Sequence, residues 1–269
     1  MLFKLIMITF LVFSLKANNS FDMNKNITIN YLNINYFKLK DQRIRDRLAL
    51  KEYVSESQFV IFNSLQDINS MDYLCAPARA FYINRFYYID NPKTRAVLYQ
   101  NDNTNEKHSV KIISYRDTSR IYKKDIISGY LIDKKYLIFT INFKKNKELK
   151  NNIRKLKDIV YWSKKELHVK ITNIAFVGVF NLSFSKLKNK VPGFHPLLNN
   201  GTKFVKVNNK LKLAKVENVL VSDRSNISAK VNFLFRRELL NGKYKSKKNN
   251  KTYMKNISPY YPIEIKIKI

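Results

Sequence analysis

A chain of 269 residues, 45% of them apolar, is long enough to bury a large core, and only 5 glycines and 6 prolines exclude collagen-like and low-complexity architectures. A single cysteine, Cys75, excludes an internal disulfide and every cysteine-based zinc framework, and no disulfide-linked partner is expected. The formal charge of +31, from 51 basic against 20 acidic residues, favours a nucleic acid or other polyanion, or an anionic membrane surface. Lys, Asn and Ile are overused together, which also fits an AT-rich coding sequence, so charge alone names no partner.

In chain order, Met1 to Ala17 carries Lys4, an apolar run from Leu5 to Leu15 and a small residue before Asn18. This predicts a signal peptide over 1–17, export to a periplasmic, cell-surface or secreted location, and a single domain over 18–269. Leu15 is bulkier than the residue usual three positions before a cut, which leaves an uncleaved anchor open.

Ile27 to Ile34 reads as a central strand, with Ile27, Ile29, Tyr31 and Asn33 on one face and Thr28, Asn30, Leu32 and Ile34 on the other. Asp41 then caps a helix to about Ser57, and Phe59 to Phe62 is a buried-strand run. Further strands are expected at Arg79 to Ile89, Arg95 to Tyr99, Val110 to Tyr115, Asp125 to Ile132 and Tyr136 to Phe143. The period turns helical from Asn146 to Leu167, with Leu149, Ile153, Leu156, Val160 and Leu167 on one side. Strands follow at Asn173 to Val177, Lys203 to Val207, Glu217 to Val221, Lys230 to Phe235 and Pro262 to Ile269, where isoleucines alternate with charged residues. Between the last two, Arg236, Arg237, Lys243, Lys245, Lys247 and Lys248 form a basic stretch that reads either as a solvated loop or as a polyanion-binding, phosphate-tracking one.

Several short motifs fall in a telling order: Tyr31-Leu32-Asn33-Ile34, Leu65-Gln66-Asp67, Tyr115-Arg116-Asp117, Gly178-Val179-Phe180-Asn181, Val216-Glu217-Asn218-Val219 and Ile257-Ser258-Pro259-Tyr260-Tyr261-Pro262. Over nearly the whole chain beyond the signal, this order resembles the endonuclease/exonuclease/phosphatase superfamily, and its deoxyribonuclease I-like members. The resemblance implies an α/β fold: a four-layer α/β/β/α sandwich of two packed mixed sheets flanked by helices, with the site at one edge. It implies metal- and phosphate-assisting roles for Asn33, the metal-binding position for Asp67, phosphate orientation for Asn181 and an acid position for Glu217.

Other family positions depart from the pattern. Asn142, in Thr140-Ile141-Asn142, stands where the resemblance implies a catalytic histidine; Val179 replaces the acid of Gly-Asp-Phe-Asn; Pro259 and Tyr260 replace an Asp-His pair. Phosphodiester hydrolysis needs a hard cation, an ionised base and an acid near the leaving oxygen, and a positioned base is worth about 10² to 10⁴ in rate. The substitutions therefore predict a pseudoenzyme, catalytically impaired or inactive, that binds a polyanionic or surface partner without a cofactor. Two alternatives stay open: an active nuclease or phosphodiesterase using Mg²⁺ at Asp67 with Asn33, Asn181 and Glu217, and an exported structural protein with no nucleic-acid role. His108, His168 and His195 match no catalytic position, His195 reading as a surface-loop residue, and Trp162 reads as core packing.

Overall fold

In a computed structural model of the chain, residues 26–34, 50, 53–54, 57–64, 84–89, 96–101, 108–115, 127–143, 149–182, 184–188, 191–208, 210–232 and 260–269 are described. The strands are β1 (Asn26–Asn33), β2 (Phe59–Asn63), β3 (Asn84–Ile89), β4 (Ala96–Asn101), β5 (Val110–Tyr115), β6 (Ile127–Ile132) and β7 (Tyr136–Asn142). Helix α1 (Leu149–Leu167) leads through a 3-10 turn (Ile171–Asn173) to β8 (Ile174–Val179), and helix α2 (Phe184–Lys188) to β9 (Phe194–Pro196). The remainder are β10 (Lys203–Val207), β11 (Lys210–Ala214), β12 (Glu217–Ser222), β13 (Ile227–Val231) and β14 (Ile263–Lys268).

Two six-stranded mixed sheets result. Sheet I runs β13-β14-β1-β2-β4-β3, sheet II runs β5-β6-β7-β8-β12-β9, and β10-β11 form a separate hairpin. Each sheet has one parallel pair at its centre, β1 with β2 and β7 with β8, and every other pairing is antiparallel. A parallel pair needs a long crossover. In sheet II, α1 supplies it.

Period-2 alternation sorts the side chains of sheet II into two cores. Tyr136, Ile138, Ala175, Val177, Val219 and Val221 pack with Ile27, Ile29 and Tyr31 of sheet I. Leu137, Phe139, Ile141, Ile174, Phe176 and Leu220 turn the other way and meet Ile153, Leu156, Ile159 and Val160 of α1. The expected sandwich of two packed mixed sheets is present. Helices are sparse among the described residues; within the helix expected at 41–57, Leu50, Tyr53 and Val54 are described and helical, and most of the span lies outside the described residues.

Some boundaries differ from the expectations. The strand expected at 230–235 begins at Ile227, because Ile227 and Val231 pair with Ile267 and Ile263 and bury against the core. The segment around His195 is an edge strand, β9, rather than a loop, and β11 and α2 were not anticipated. A strand of three residues ending in Pro196 gives little periodicity, and proline is tolerated there because an edge position wants no second donor. The segments 1–17, 65–83, 116–126 and 233–259 lie outside the described residues. They hold the expected signal peptide, Asp67, Cys75, Asp117, the basic residues Arg236, Arg237, Lys243, Lys245, Lys247 and Lys248, and Pro259. Among the described residues, no helix is long and apolar enough to cross a membrane.

Candidate functional site

Both parallel pairs end at the same edge of the sandwich. Asn33 closes β1 opposite Asn63 of β2, and Asn142 closes β7 opposite Val179 of β8. Val179 also pairs with Glu217 at the start of β12, so Asn142, Val179 and Glu217 form a row across three strands. The crevice beyond the carboxyl ends of parallel strands is where open α/β sheets hold ligands.

The two sheets are joined here by side chains. Asn33 Nδ2 donates to Glu217 Oε1 at 3.0 Å across 184 residues of sequence, and Asn142 Nδ2 donates to Ser64 Oγ at 3.0 Å. Tyr31, two residues before Asn33 and therefore on the same face of β1, accepts from Asn63 Nδ2 at 2.6 Å. Its phenol is raised well above its ordinary range, first by burial and then by the Glu217 carboxylate, against the pull of the Asn63 hydrogen bond.

Glu217 is 1% exposed. Burial pushes its carboxyl up to about 8; the Asn33 hydrogen bond, the Lys203 charge, Thr202 and Tyr31 hold it from rising further. Its backbone N–H donates to Thr202 Oγ1 at 3.2 Å, and its Oε2 has no hydrogen-bond partner among the described residues. Near neutral pH the carboxyl is predominantly a neutral acid. Lys203 Nζ also lies 5.0 Å from the centre of the Tyr260 ring, whose backbone bridges to Lys203.

Asn181 takes a left-handed backbone, with φ of 53°, and its Nδ2 donates to the Phe143 carbonyl. Its own N–H returns to Val216 O at 3.1 Å. Its amide thus holds the turn after β8, an ordinary role for asparagine. Gly178 is required beside it: at φ of 135° a Cβ would lie 2.0 Å from the Ile141 carbonyl oxygen and 3.1 Å from the Tyr31 hydroxyl.

The structure thus gathers Asn33, Asn142, Val179, Asn181, Glu217 and Tyr260 at one edge. Asp67 and Pro259, and the basic stretch 236–248, lie outside the described residues. Sequence reading passed over Tyr31, Asn63, Ser64, Thr202 and Lys203 as site neighbours. Tyr31 was within reach of period-2 reasoning; Lys203 arrives from a separate hairpin and leaves no local signal.

Among the described residues this edge offers Mg²⁺ one carboxyl group, Glu217, buried and already accepting from Asn33, while the position the resemblance assigns to the metal, Asp67, lies outside them. Among the described residues no three His, Cys, Asp or Glu side chains come together. Val179, 4% exposed, presents only methyl groups where the resemblance implies an acid.

Two stacked six-stranded mixed sheets, each with a central parallel pair ending at a common edge, define a deoxyribonuclease I-like fold. The same architecture occurs in D. rerio TDP2 humanized by 14 mutations, with a TM-score of 0.56 and 9% identity over 90% of this chain and 98% of that one. TDP2 from C. elegans gives 0.54 and 12% identity over 94% and 80%, and an AP endonuclease from Archaeoglobus fulgidus 0.51 and 10% over 90% and 100%. At such identities the likeness is one of fold. No protein-family model and no curated protein matches the chain.

Proposed function

We propose that this chain is a nuclease-fold domain without efficient hydrolytic activity, acting as a binding protein for a polyanion. The observation that carries the reading is the row Asn142–Val179–Glu217. It offers an amide engaged by Ser64, a methyl surface and a neutral acid, where in-line hydrolysis asks for a proton carrier and ionised carboxylates.

Polyanion binding is supported by the charge of +31 and by the fold neighbours, one of which, a D. rerio TDP2 with 12% identity and a TM-score of 0.52, is complexed with a single-strand DNA product. A location outside the cytoplasm is part of this reading, supported by the amino-terminal pattern at 1–17.

The test is plasmid DNA incubated with the purified protein and Mg²⁺ or Mn²⁺. Nicking stays at background under the proposal, and DNA binding weakens steeply with salt. Metal-dependent nicking abolished by Asp67→Ala overturns it in favour of an active phosphodiesterase.

A further inference from the structure

We infer that the solvent face of α1 binds single-stranded nucleic acid, its cations on successive phosphates and Tyr161 stacked on a base. The apolar side of α1, through Ile153, Leu156, Ile159 and Val160, is consumed against sheet II. On the opposite side Arg154, Lys157, Tyr161 and Lys164 follow one another at intervals of three and four residues, with Lys165 four beyond Tyr161, which places them on one exposed face.

The acids of the exposed helix surface do not cancel this stripe. Glu166 falls off the line and makes only a 3.7 Å surface contact with Lys165, and Asp158 lies at one rim. From Arg154 to Lys165 the helix rise of 1.5 Å per residue gives roughly 16 Å, enough for several phosphates.

Tyr161 decides the class of partner. It is 70% exposed, the most open of the large apolar side chains described, and it sits between cations on either side along the helix. Exposed aromatics interleaved with cations are the arrangement that holds single strands, because a ring stacks any unpaired base while the charges track the backbone. A membrane-lying helix needs a broad apolar face to bury among headgroups, and here that face is already packed on the sheet. A duplex would use the cations and leave the ring without a base.

This inference rests on the polyanion reading above but concerns a surface distinct from the strand-end site. The experiment is fluorescence anisotropy with a labelled 20-nucleotide single strand, titrated at several salt concentrations. The variants are Arg154→Gln/Lys157→Gln/Lys164→Gln/Lys165→Gln, a charge-matched control Lys111→Gln/Lys186→Gln/Lys188→Gln/Lys212→Gln at other exposed lysines, Tyr161→Ala and Tyr161→Phe, each checked for an unchanged melting temperature.

The α1 quadruple variant is expected to bind at least about 10-fold more weakly and to flatten the slope of log affinity against log salt by about 2 to 3, the control doing neither. Tyr161→Ala is expected to lose roughly 10-fold, with Tyr161→Phe restoring affinity. Equal losses in the two quadruple variants, or none in either, overturn the inference in favour of a diffuse field. Loss of phosphatidylserine-vesicle binding with oligonucleotide affinity intact overturns it in favour of a lipid surface. No binding by the unaltered protein removes the polyanion reading itself.

Discussion

At the site edge Asn33 reaches from sheet I to Glu217 of sheet II and Asn142 reaches from sheet II to Ser64. At the opposite pole Gln58 meets His108 at 3.0 Å and His108 meets Asp133 at 2.6 Å. Gln58 Oε1 there accepts from Thr28 N–H at 2.7 Å, so its amide N–H₂ faces His108 and makes Nε2 the acceptor, leaving Nδ1–H to donate to Asp133. Both poles join the sheets with polar side chains. They differ in where the charge goes: the Asp133 side chain is 35% exposed, whereas Glu217 is sealed in and neutral. Two sheets packed through apolar faces still need their strand ends satisfied. Polar side chains shared between strand ends do that at either pole, so the asparagines at the site edge have a structural use that requires no chemistry.

The comparison breaks most sharply at Gly178. Gly178→Ala places a Cβ against the Ile141 carbonyl in a backbone that disfavours side chains, and a loss of more than about 4 kcal/mol is expected by urea unfolding. A variant of ordinary stability would mean that β7 and β8 do not approach as described. Glu217 gives the next largest effect. Its carboxyl keeps in the fold a proton that the unfolded chain releases above about pH 4.5, so this group's contribution is fully present below that pH. It declines by about 1 kcal/mol per pH unit until the folded carboxyl ionises near 8. Glu217→Gln should match the parent near pH 5 and exceed it increasingly toward pH 8. Parallel stability curves for the two proteins would show that the side chain is ionised in the fold.

Asn142→Ala removes one cross-sheet hydrogen bond from a half-buried position, and about 1 kcal/mol is expected in the same unfolding assay. Asp133→Asn tests the far pole most gently. It keeps an acceptor for Ser109 N–H but weakens the histidine contact at a partly solvated position, and about 0.5 kcal/mol is expected. If this change costs more than Asn142→Ala, the far pole is the tighter seam and the contrast reverses.

Much of the fold is legible in the alternation of β14, in the apolar run of β1 and in the helical period of α1, because each pattern matches one kind of burial: one face for β14 and α1, nearly the whole length for β1. β9 is illegible for the opposite reason: its three residues sit on an edge, and what makes them a strand is pairing with Leu220, Val221 and Ser222. At the site, Asn33, Asn142, Val179, Asn181 and Glu217 are reached through motif order, and the structure places them together. The contacts that define their chemistry are tertiary. No spacing announces that Asn33 meets Glu217 across 184 residues, or that Lys203 comes from another hairpin to lie beside that acid.

The seating of β14 between β13 and β1 bears on how the molecule is made. Asn26 lies beside Lys268 in that ladder, so during synthesis β1 waits with one flank open until β14 has been made. Sheet II, whose strands all fall between Val110 and Ser222, is complete well before then. The nascent chain therefore carries a bare row of backbone donors and acceptors on a strand as apolar as Ile27 to Ile34, a template for pairing with a neighbouring chain.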